Sequence, residues 1–531
     1  MLKIVWKISE DSLLKVPHYK FLFSFHNNEY NMIYISAQPD DFYFIWQLEL
    51  QIRNFSSLGI AKEDYHILIG VDPHKGLSME FRNMMKQYAT LASFYIYNDT
   101  RKSKNYIPSL RPHIIKKHFT KYPDLKECNI FYHDSDILLR TLPVNGSMLA
   151  DDTSYVSDTR SYLDSKYVIA KGGEEALEIM CSITGITVQQ AIEHDAHCGG
   201  AQYLLKHVDE KFWGKIEKRS ELIYTALRDI NTKRNNEMFA STGTNFSKYV
   251  GIQEWCADMW AINYTMIEEK RKVRIAQSMR FCWADSPIAE WDKCTILHYT
   301  GNQKHERPIF KKSDYLQYHP LCDFGLKNIS STACGIKVVE QIFQLRDSCP
   351  RCNLMDTLFI IDWNNNTTLV VEFMILHFHT QILIVVDEEN LSSYSNTFSH
   401  LSDKVTLCSY KEEVQTVEYF KAKGVKYVVQ YIPNLIIHPR ILKSVLTGIR
   451  KCGKEAIAVN SQYFVVDKLM TRMFQKMKDI ELLYSNKGKF IVSQGCKCIE
   501  CYTICAYLKG DTPYNDKAIS GKLMNGCFVL S

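Results

Sequence analysis

The feature that most limits how this chain can fold is the alternation of short apolar strands and amphipathic helices along its first 140 residues. "NMIYIS" (31–36), "YHILIGVD" (65–72), "SFYIYN" (93–98) and "CNIFYH" (128–133) read as strands. Helical patterns separate them. In "DDFYFIWQLELQIRNFSSLG" (40–59), Phe44, Leu48, Ile52 and Phe55 keep one face and Gly59 supplies the stop. "LSMEFRNMMKQYATLA" (77–92) and "SLRPHIIKKHFTKY" (109–122) are the other two. Connections of this length suit βαβ units, and so a mainly parallel sheet with helices on both faces. In such sheets ligands bind at the carboxyl ends of the strands.

The pattern weakens between 150 and 325, where a helix-rich insert (174–235) precedes two Trp-rich segments, "EWCADMWAINY" and "FCWADSPIAEWDK". It restarts after 355 with the strands "TLFIIDW", "QILIVVD", "KVTLCS", "KYVVQYI" and "EAIAVN", and helices at 366–378, 411–423 and 440–452. A chain of 531 residues is too long for one ordinary domain. The expected organisation is α/β throughout. A Rossmann-like domain spans 1–325 with its core at about 30–310, "ISSTAC" and "DSCPRC" mark a linker (326–354), and a smaller α/β domain spans 355–531. Its strand "KYVVQYI" is followed by Pro433-Asn434 and carries no acidic pair at Ile432-Pro433-Asn434, so catalysis is not assigned there. Acceptor binding, dimerisation and a scaffold role stay open for it.

A formal charge of +5 is small for this size and argues against a dedicated nucleic-acid binder. The most apolar stretch, 368–386, contains Glu372, His377, His379 and Gln381 and reads as a helix followed by a strand, with no transmembrane segment. The first twenty residues lack a signal-peptide pattern. Seventeen cysteines then imply a reducing, cytoplasmic location with mostly free thiols. Cys349, Cys352, Cys498 and Cys501 form two Cys-x-x-Cys pairs. A zinc site, a redox pair at Cys349 and Cys352, and free buried thiols are the three readings of them.

Chemistry is concentrated at "IFYHDSDILL" (130–139), where an apolar strand ends in Asp134 and Asp136. Residues two apart in an extended segment point to one side, so both carboxylates can face one ligand. Two hard oxygen donors suit Mg²⁺ or Mn²⁺, which can neutralise a diphosphate leaving group. A solvated turn carrying two acids is the alternative.

The strand order, "HDSD", and a later "LHYTGNQKH" (297–305) together resemble a GT-A fold glycosyltransferase, over residues 30 to 310. The later segment is similar to the family 8 pattern HxxGxxK, with His298, Gly301 and Lys304 at its spacing; the family continues with Pro-Trp where this chain has His305-Glu306. The resemblance implies a Mn²⁺ (or Mg²⁺) ion on Asp134, Asp136 and His298, with Lys304 on the diphosphate and Gly301 admitting the backbone. It also implies a nucleotide sugar whose base and ribose lie along Ser36, Ala37 and Gln38, and retention of configuration.

Other residues have two readings each. Arg111 can reach a phosphate or the base, or sit in solvent at a helix start. In "HCGGAQYLLK" (197–206), Gly199 and Gly200 leave room for a sugar held by the Gln202 amide, or make a tight turn into a helix. Asp258, four residues from Glu254 on one helix face, is the candidate base of an inverting enzyme, or a sugar contact in a retaining one. Trp283 and Asp285 are candidate sugar-stacking and hydroxyl-binding groups. The expected function is metal-dependent transfer of a sugar from a nucleotide-sugar donor to a hydroxyl acceptor such as a glycan. A sugar nucleotidyltransferase is disfavoured because 36–41 reads "SAQPDD" and lacks a glycine-rich loop. A non-catalytic nucleotide- or glycan-binding scaffold is the third class.

Overall fold

Strands β1 (Met32–Pro39), β2 (Tyr65–Val71), β3 (Ser93–Asn98) and β4 (Asn129–His133) pair in parallel in the order β3-β2-β1-β4. All seven residues of β2 are buried, as expected of a strand covered on both faces. The helices between them are α1 (Phe42–Ser57), α2 (Met79–Tyr88) and α3 (Leu110–Lys121). Asp41 caps α1 by accepting from Tyr43 N at 2.9 Å. Gly59, at φ +83°, ends that segment in the left-handed region that glycine adopts without cost. The computed structural model describes residues 32–243, 251–300, 308–316, 319–348, 352–365, 367–401, 403–425, 427–431 and 435–437, with short strands at 512–514, 521–524 and 527–530. Gly301, Lys304, Cys349, Cys498, Cys501, Ile432-Pro433-Asn434 and "EAIAVN" lie outside the described residues.

The chain leaves β1 for β2 on one side and comes back to β4 on the other. That reversal opens a crevice between the carboxyl ends of β1 and β4, the usual ligand position in open α/β sheets. After β4 come β5 (Ile137–Leu139), α4 (Gly146–Leu149) and β6 (Ser154–Asp158). Helices α5 (Arg160–Leu163), α6 (Ser165–Gly172), α7 (Glu174–Thr184) and α8 (Val188–His194) lead to β7 (Gly199–Leu205). Strand β7 pairs antiparallel with both β4 and β6, and β8 (Val273–Ile275) joins β6 in parallel. The sheet therefore has seven strands in the order β3-β2-β1-β4-β7-β6-β8 and is mainly parallel. Long α9 (Glu210–Thr242) packs on α3 and α10 (Ala257–Glu268). A small sheet, β5-β10-β9, is completed by β9 (Phe281–Trp283) and β10 (Ile296–His298).

Two expectations are corrected here. "GGAQYLL" does not turn into a helix; it is β7, buried along its whole length. A short apolar run fits either element, and pairing with β4 decides it. Close approach explains the glycine: a Cβ on Gly199 would run into the Ser157 carbonyl oxygen of β6. The stretch read as a linker (326–354) contributes α11 (Ile336–Ser348). Val338, Val339, Ile342 and Leu345 give it an apolar face, buried in one cluster with Trp46 and Leu50 of α1. That cluster continues into Phe359 and Ile382 of a second sheet. Its strands β11 (Cys352–Asp362), β12 (Phe378–Val386), β13 (Val405–Ser409) and β14 (Tyr427–Tyr431) are all parallel, in the order β13-β12-β11-β14. Helix α12 (Thr367–His377) runs straight into β12, as read from the sequence. Among the described residues no helix is long and apolar enough to cross a membrane.

Candidate active site

The loop between β4 and β5 carries Asp134 and Asp136, and α1 holds it in place. Gln47, Gln51 and Asn54 lie at helical spacing on the buried side of α1. Gln51 Nε2 donates to Asp134 O at 2.8 Å, while Tyr65 Oη donates to Gln51 Oε1 at 2.5 Å. Ser135 Oγ donates to Gln47 Oε1 at 3.2 Å. Asn54 pairs with the Leu139 main chain in both directions, at 2.9 and 2.7 Å. Buried amides with partners of this kind fix a backbone, because breaking any one leaves an unsatisfied polar group.

Strand β10 lies across this loop, with His298 opposite Ile137 in the register. His298 Nε2 stands 3.7 Å from Asp134 Oδ2 and 3.4 Å from Asp136 Oδ1. The three ligand atoms lie within 4.8 Å of one another, and they form the one cluster of metal-ligating type among the described residues. Two carboxylate oxygens and an imidazole nitrogen suit Mn²⁺ or Mg²⁺ in hardness and charge. The rings of Trp283 and Phe281 pack on the imidazole, with centroids at 5.2 and 6.0 Å.

Two cations flank the acids. Lys312, on a short turn at Lys312–Tyr315, pairs with Asp136 Oδ2. Burial alone would raise the Asp136 carboxyl, but Lys312 and His298 beside it hold it well below the ordinary carboxylate range. Arg111, in the first turn of α3, bridges Asp134 and Asp258, with Nη2 2.6 Å from Asp258 Oδ2. Tyr106 Oη lies 2.8 Å from Asp258 Oδ1, so both oxygens of Asp258 are engaged. Burial raises the Asp258 carboxyl, opposed by Arg111 and Tyr106. Three carboxylates thus face two fixed cations, an excess of one negative charge that a divalent cation would reverse.

Arg111, Asp134, Asp136, Asp258, His298 and Lys312 line a cleft of about 1490 Å³ at the carboxyl edge of the sheet, together with Ala37, Pro39, Asp40, Tyr43, Tyr162, Met259, Trp283 and Asp285. Its rim carries Ile107 and Trp255, which are 71% and 58% exposed although both are large and apolar.

The structure brings together Asp134, Asp136, His298, Arg111 and Asp258, which are far apart in sequence. It turns other expected groups away. Ser36 and Gln38 share a buried face of β1, where Ser36 Oγ donates to Gln38 Oε1 at 2.9 Å and Gln38 Nε2 donates to Leu68 O at 2.8 Å. Alternation along the strand leaves Ala37 as the one of the three that lines the cleft. Gln202, expected to hold a sugar, has no exposed surface and lies against His298 inside the sheet. Glu254 belongs to a separate turn, Glu254–Cys256, before α10, and accepts from Asn231 Nδ2 at 2.7 Å, so it shares no helix face with Asp258. Lys312 was missed, since a lysine in "FKKSDY" carries no spacing signal. The buried amides of α1 were missed too, although Gln47, Gln51 and Asn54 on an otherwise apolar helix face were a readable anomaly.

No family model matches the chain, and no curated protein matches it. Among solved structures, the bifunctional glycosyltransferase WbbM aligns with 59% of this chain and 52% of its own at 12% identity and a TM-score of 0.32. The chain thus spans about half of that protein. The galactosyltransferase LgtC, in complex with donor and acceptor sugar analogs, aligns with 59% of this chain and 96% of its own at 12% identity and a TM-score of 0.29. The glycosyltransferase GlyE of Streptococcus pneumoniae TIGR4 aligns with 76% and 86% at 11% identity and a TM-score of 0.25. At scores this low the likenesses decide neither fold nor activity, and the chemistry rests on the cleft itself.

Proposed function

We propose that the chain is a metal-dependent glycosyltransferase of the GT-A type, which moves a sugar from a nucleoside-diphosphate donor to a hydroxyl of an acceptor. The observation that carries this is the placement of Asp134, Asp136 and His298 at the crevice between β1 and β4, with Lys312 and Arg111 beside them. Asp134, Asp136 and His298 would hold Mn²⁺ or Mg²⁺, which when bound supplies charge neutralisation for a departing diphosphate. Lys312, 16% exposed at its side chain, pairs with Asp136 at the same place. Its ammonium can donate to a diphosphate oxygen as charge develops there, the task first assigned to Lys304. Arg111 and Asp258 form a rigid polar pair suited to orienting sugar hydroxyls. Because both Asp258 oxygens are committed, it is poorly placed as a general base, which favours retention over inversion. The acceptor enters past Trp255 and Ile107, whose exposed apolar surfaces fit the C–H face of a sugar ring.

The test is hydrolysis and transfer from a panel of nucleotide sugars, with and without Mn²⁺. Asp136→Asn is expected to lower the rate about a thousandfold, the scale of several kcal/mol of lost charge stabilisation. Donor turnover that is indifferent to Mn²⁺ and to this substitution would sink the proposal.

A further inference from the structure

Gln202 occupies an unusual position for a polar residue. It lies on β7 opposite His133 of β4, with no exposed surface. On its other side β6 and β7 lose register between Val156 and Asp158, so that Ser157 faces the segment 200–202. Ala201 within that bulge holds φ +66°, a left-handed conformation uncommon for alanine. The side-chain amide of Gln202 therefore lies between two groups: His298 Nδ1 at 3.4 Å and Ser157 Oγ at 2.8 Å.

The two ends of an amide have the same shape, so its partners tell them apart. With the amide oxygen toward Ser157, the single hydroxyl proton there is shared between two acceptors, Gln202 Oε1 at 2.8 Å and Met279 O at 2.9 Å. Half a turn of the amide removes the conflict. Gln202 Nε2 then donates to Ser157 Oγ, Ser157 donates to Met279 O, and Gln202 Oε1 faces His298 Nδ1. Each of the three contacts joins one donor to one acceptor. An amide oxygen only accepts, so Nδ1 must carry the ring proton. Nε2 then keeps its lone pair and points it at Asp134 and Asp136. In the other orientation Nε2 carries the proton and has no lone pair for a metal.

We propose that Gln202, set by Ser157 and the Met279 carbonyl, is a positioning residue that holds His298 in the tautomer able to bind a divalent cation through Nε2. This rests on the metal reading of the site. It assigns Gln202 a role different from the sugar contact its sequence context implied. A buried partner on the far nitrogen is a general way to orient a ligating histidine.

The experiment is a titration of the full-length chain with Mn²⁺ alone, followed by electron paramagnetic resonance, with thermal melting in metal-free buffer as the control for folding. Gln202→Leu removes the acceptor and is expected to weaken Mn²⁺ binding roughly 10–100-fold. Gln202→Glu keeps a group that accepts from Nδ1–H and is expected to bind Mn²⁺ at least as tightly as the wild type. Ser157→Ala frees the amide to turn and is expected to weaken binding by less than Gln202→Leu. Unchanged binding in Gln202→Leu, alongside its loss in His298→Ala, would overturn the positioning role and leave the metal site standing. Equal weakening in Gln202→Glu and Gln202→Leu would also overturn it, by reducing Gln202 to packing. Should Gln202→Leu not fold, Gln202→Glu decides: weaker binding than the wild type rejects the proposal. Mn²⁺ binding that ignores both His298→Ala and Asp136→Asn, or no binding by the wild type, would remove the metal reading itself.

Discussion

The four parallel strands of the first sheet and the four of the second share one strand order and differ at their carboxyl edges. The order β3-β2-β1-β4 in the first is matched by β13-β12-β11-β14 in the second, so both have a reversal beside their first strand. In the first sheet the fourth strand ends in His133, Asp134, Ser135 and Asp136, and the crevice is lined with charge. In the second sheet the first strand ends at Asp362, and Trp363 stacks on Tyr394 with centroids 3.9 Å apart and Phe398 at 6.0 Å. An aromatic stack follows the end of β11, whereas two carboxylates follow the end of β4. Strands arranged in one order thus carry different chemistry at their ends.

The largest effect that can test this contrast lies in the charged network. Arg111→Met leaves Asp258 buried beside Asp134 without its cation, and is expected to cost ~3 kcal/mol of stability in urea unfolding. Adding Asp258→Leu is expected to recover most of that loss, because an apolar pair replaces a buried ion pair at little cost. Failure of the double variant to recover would mean that the network is held by something other than charge pairing.

A second, smaller effect is pH-dependent and belongs to the first sheet. His66 of β2 and His118 of α3 are buried and joined, Nδ1 to Nε2, at 3.0 Å. Tyr97 Oη lies 2.7 Å from His118 Nδ1, and His66 Nε2 lies 3.0 Å from Glu63 O. Burial lowers His66 to about 4, and burial with the neighbouring His66 and Lys121 lowers His118 to about 2. Both folded-state values lie below the unfolded value, so their stability is present above about pH 6.5 and is lost as pH falls toward the folded values. At about pH 5 the loss at His66 is on the order of 2 kcal/mol. Protection factors for hydrogen exchange in β2, β3 and α3, corrected for the intrinsic slowing of exchange in acid, should fall on acidification before those of β11 and β12. A uniform fall across both sheets would erase the distinction.

The smallest effect concerns the aromatic stack. Trp363→Leu removes the ring pair and is expected to cost ~1 kcal/mol in thermal unfolding, with donor hydrolysis unchanged. A change in donor turnover would show that the second sheet takes part in the chemistry, and the contrast drawn above would fail.

Much of this architecture was legible in the sequence. β3 (Ser93–Asn98) was read to the residue, because its limits carry clear signals, and β2 and β4 to within one. β7 was not legible: "GGAQYLL" has no period that separates strand from helix, and only antiparallel pairing with β4 made it a strand. The helix in the stretch read as a linker was missed because serine, threonine and cysteine clusters at its two ends drew more weight than Val338, Val339, Ile342 and Leu345 between them. In the site, Asp134 and Asp136 were legible because a pair at spacing two is a local feature. Ser36 and Gln38 lie toward the carboxyl end of β1, as read, with their side chains on its buried face, since which face of β1 meets the cleft is set by neighbouring layers.

By itself, the sequence determined the strand–helix alternation and the carboxylate pair at the end of β4, which follow from local period, spacing and residue type; His298 was singled out only by its resemblance to a family pattern. Only the tertiary structure decided that Lys312 stands beside Asp136, that Arg111 is shared by two carboxylates, and that Gln202 lies against the His298 imidazole. Those contacts join residues 23 to 176 positions apart, and no local pattern encodes them. They arise because packing α1, α3 and β10 around one sheet edge brings their side chains to a common point, and burial then requires each polar group there to find a partner.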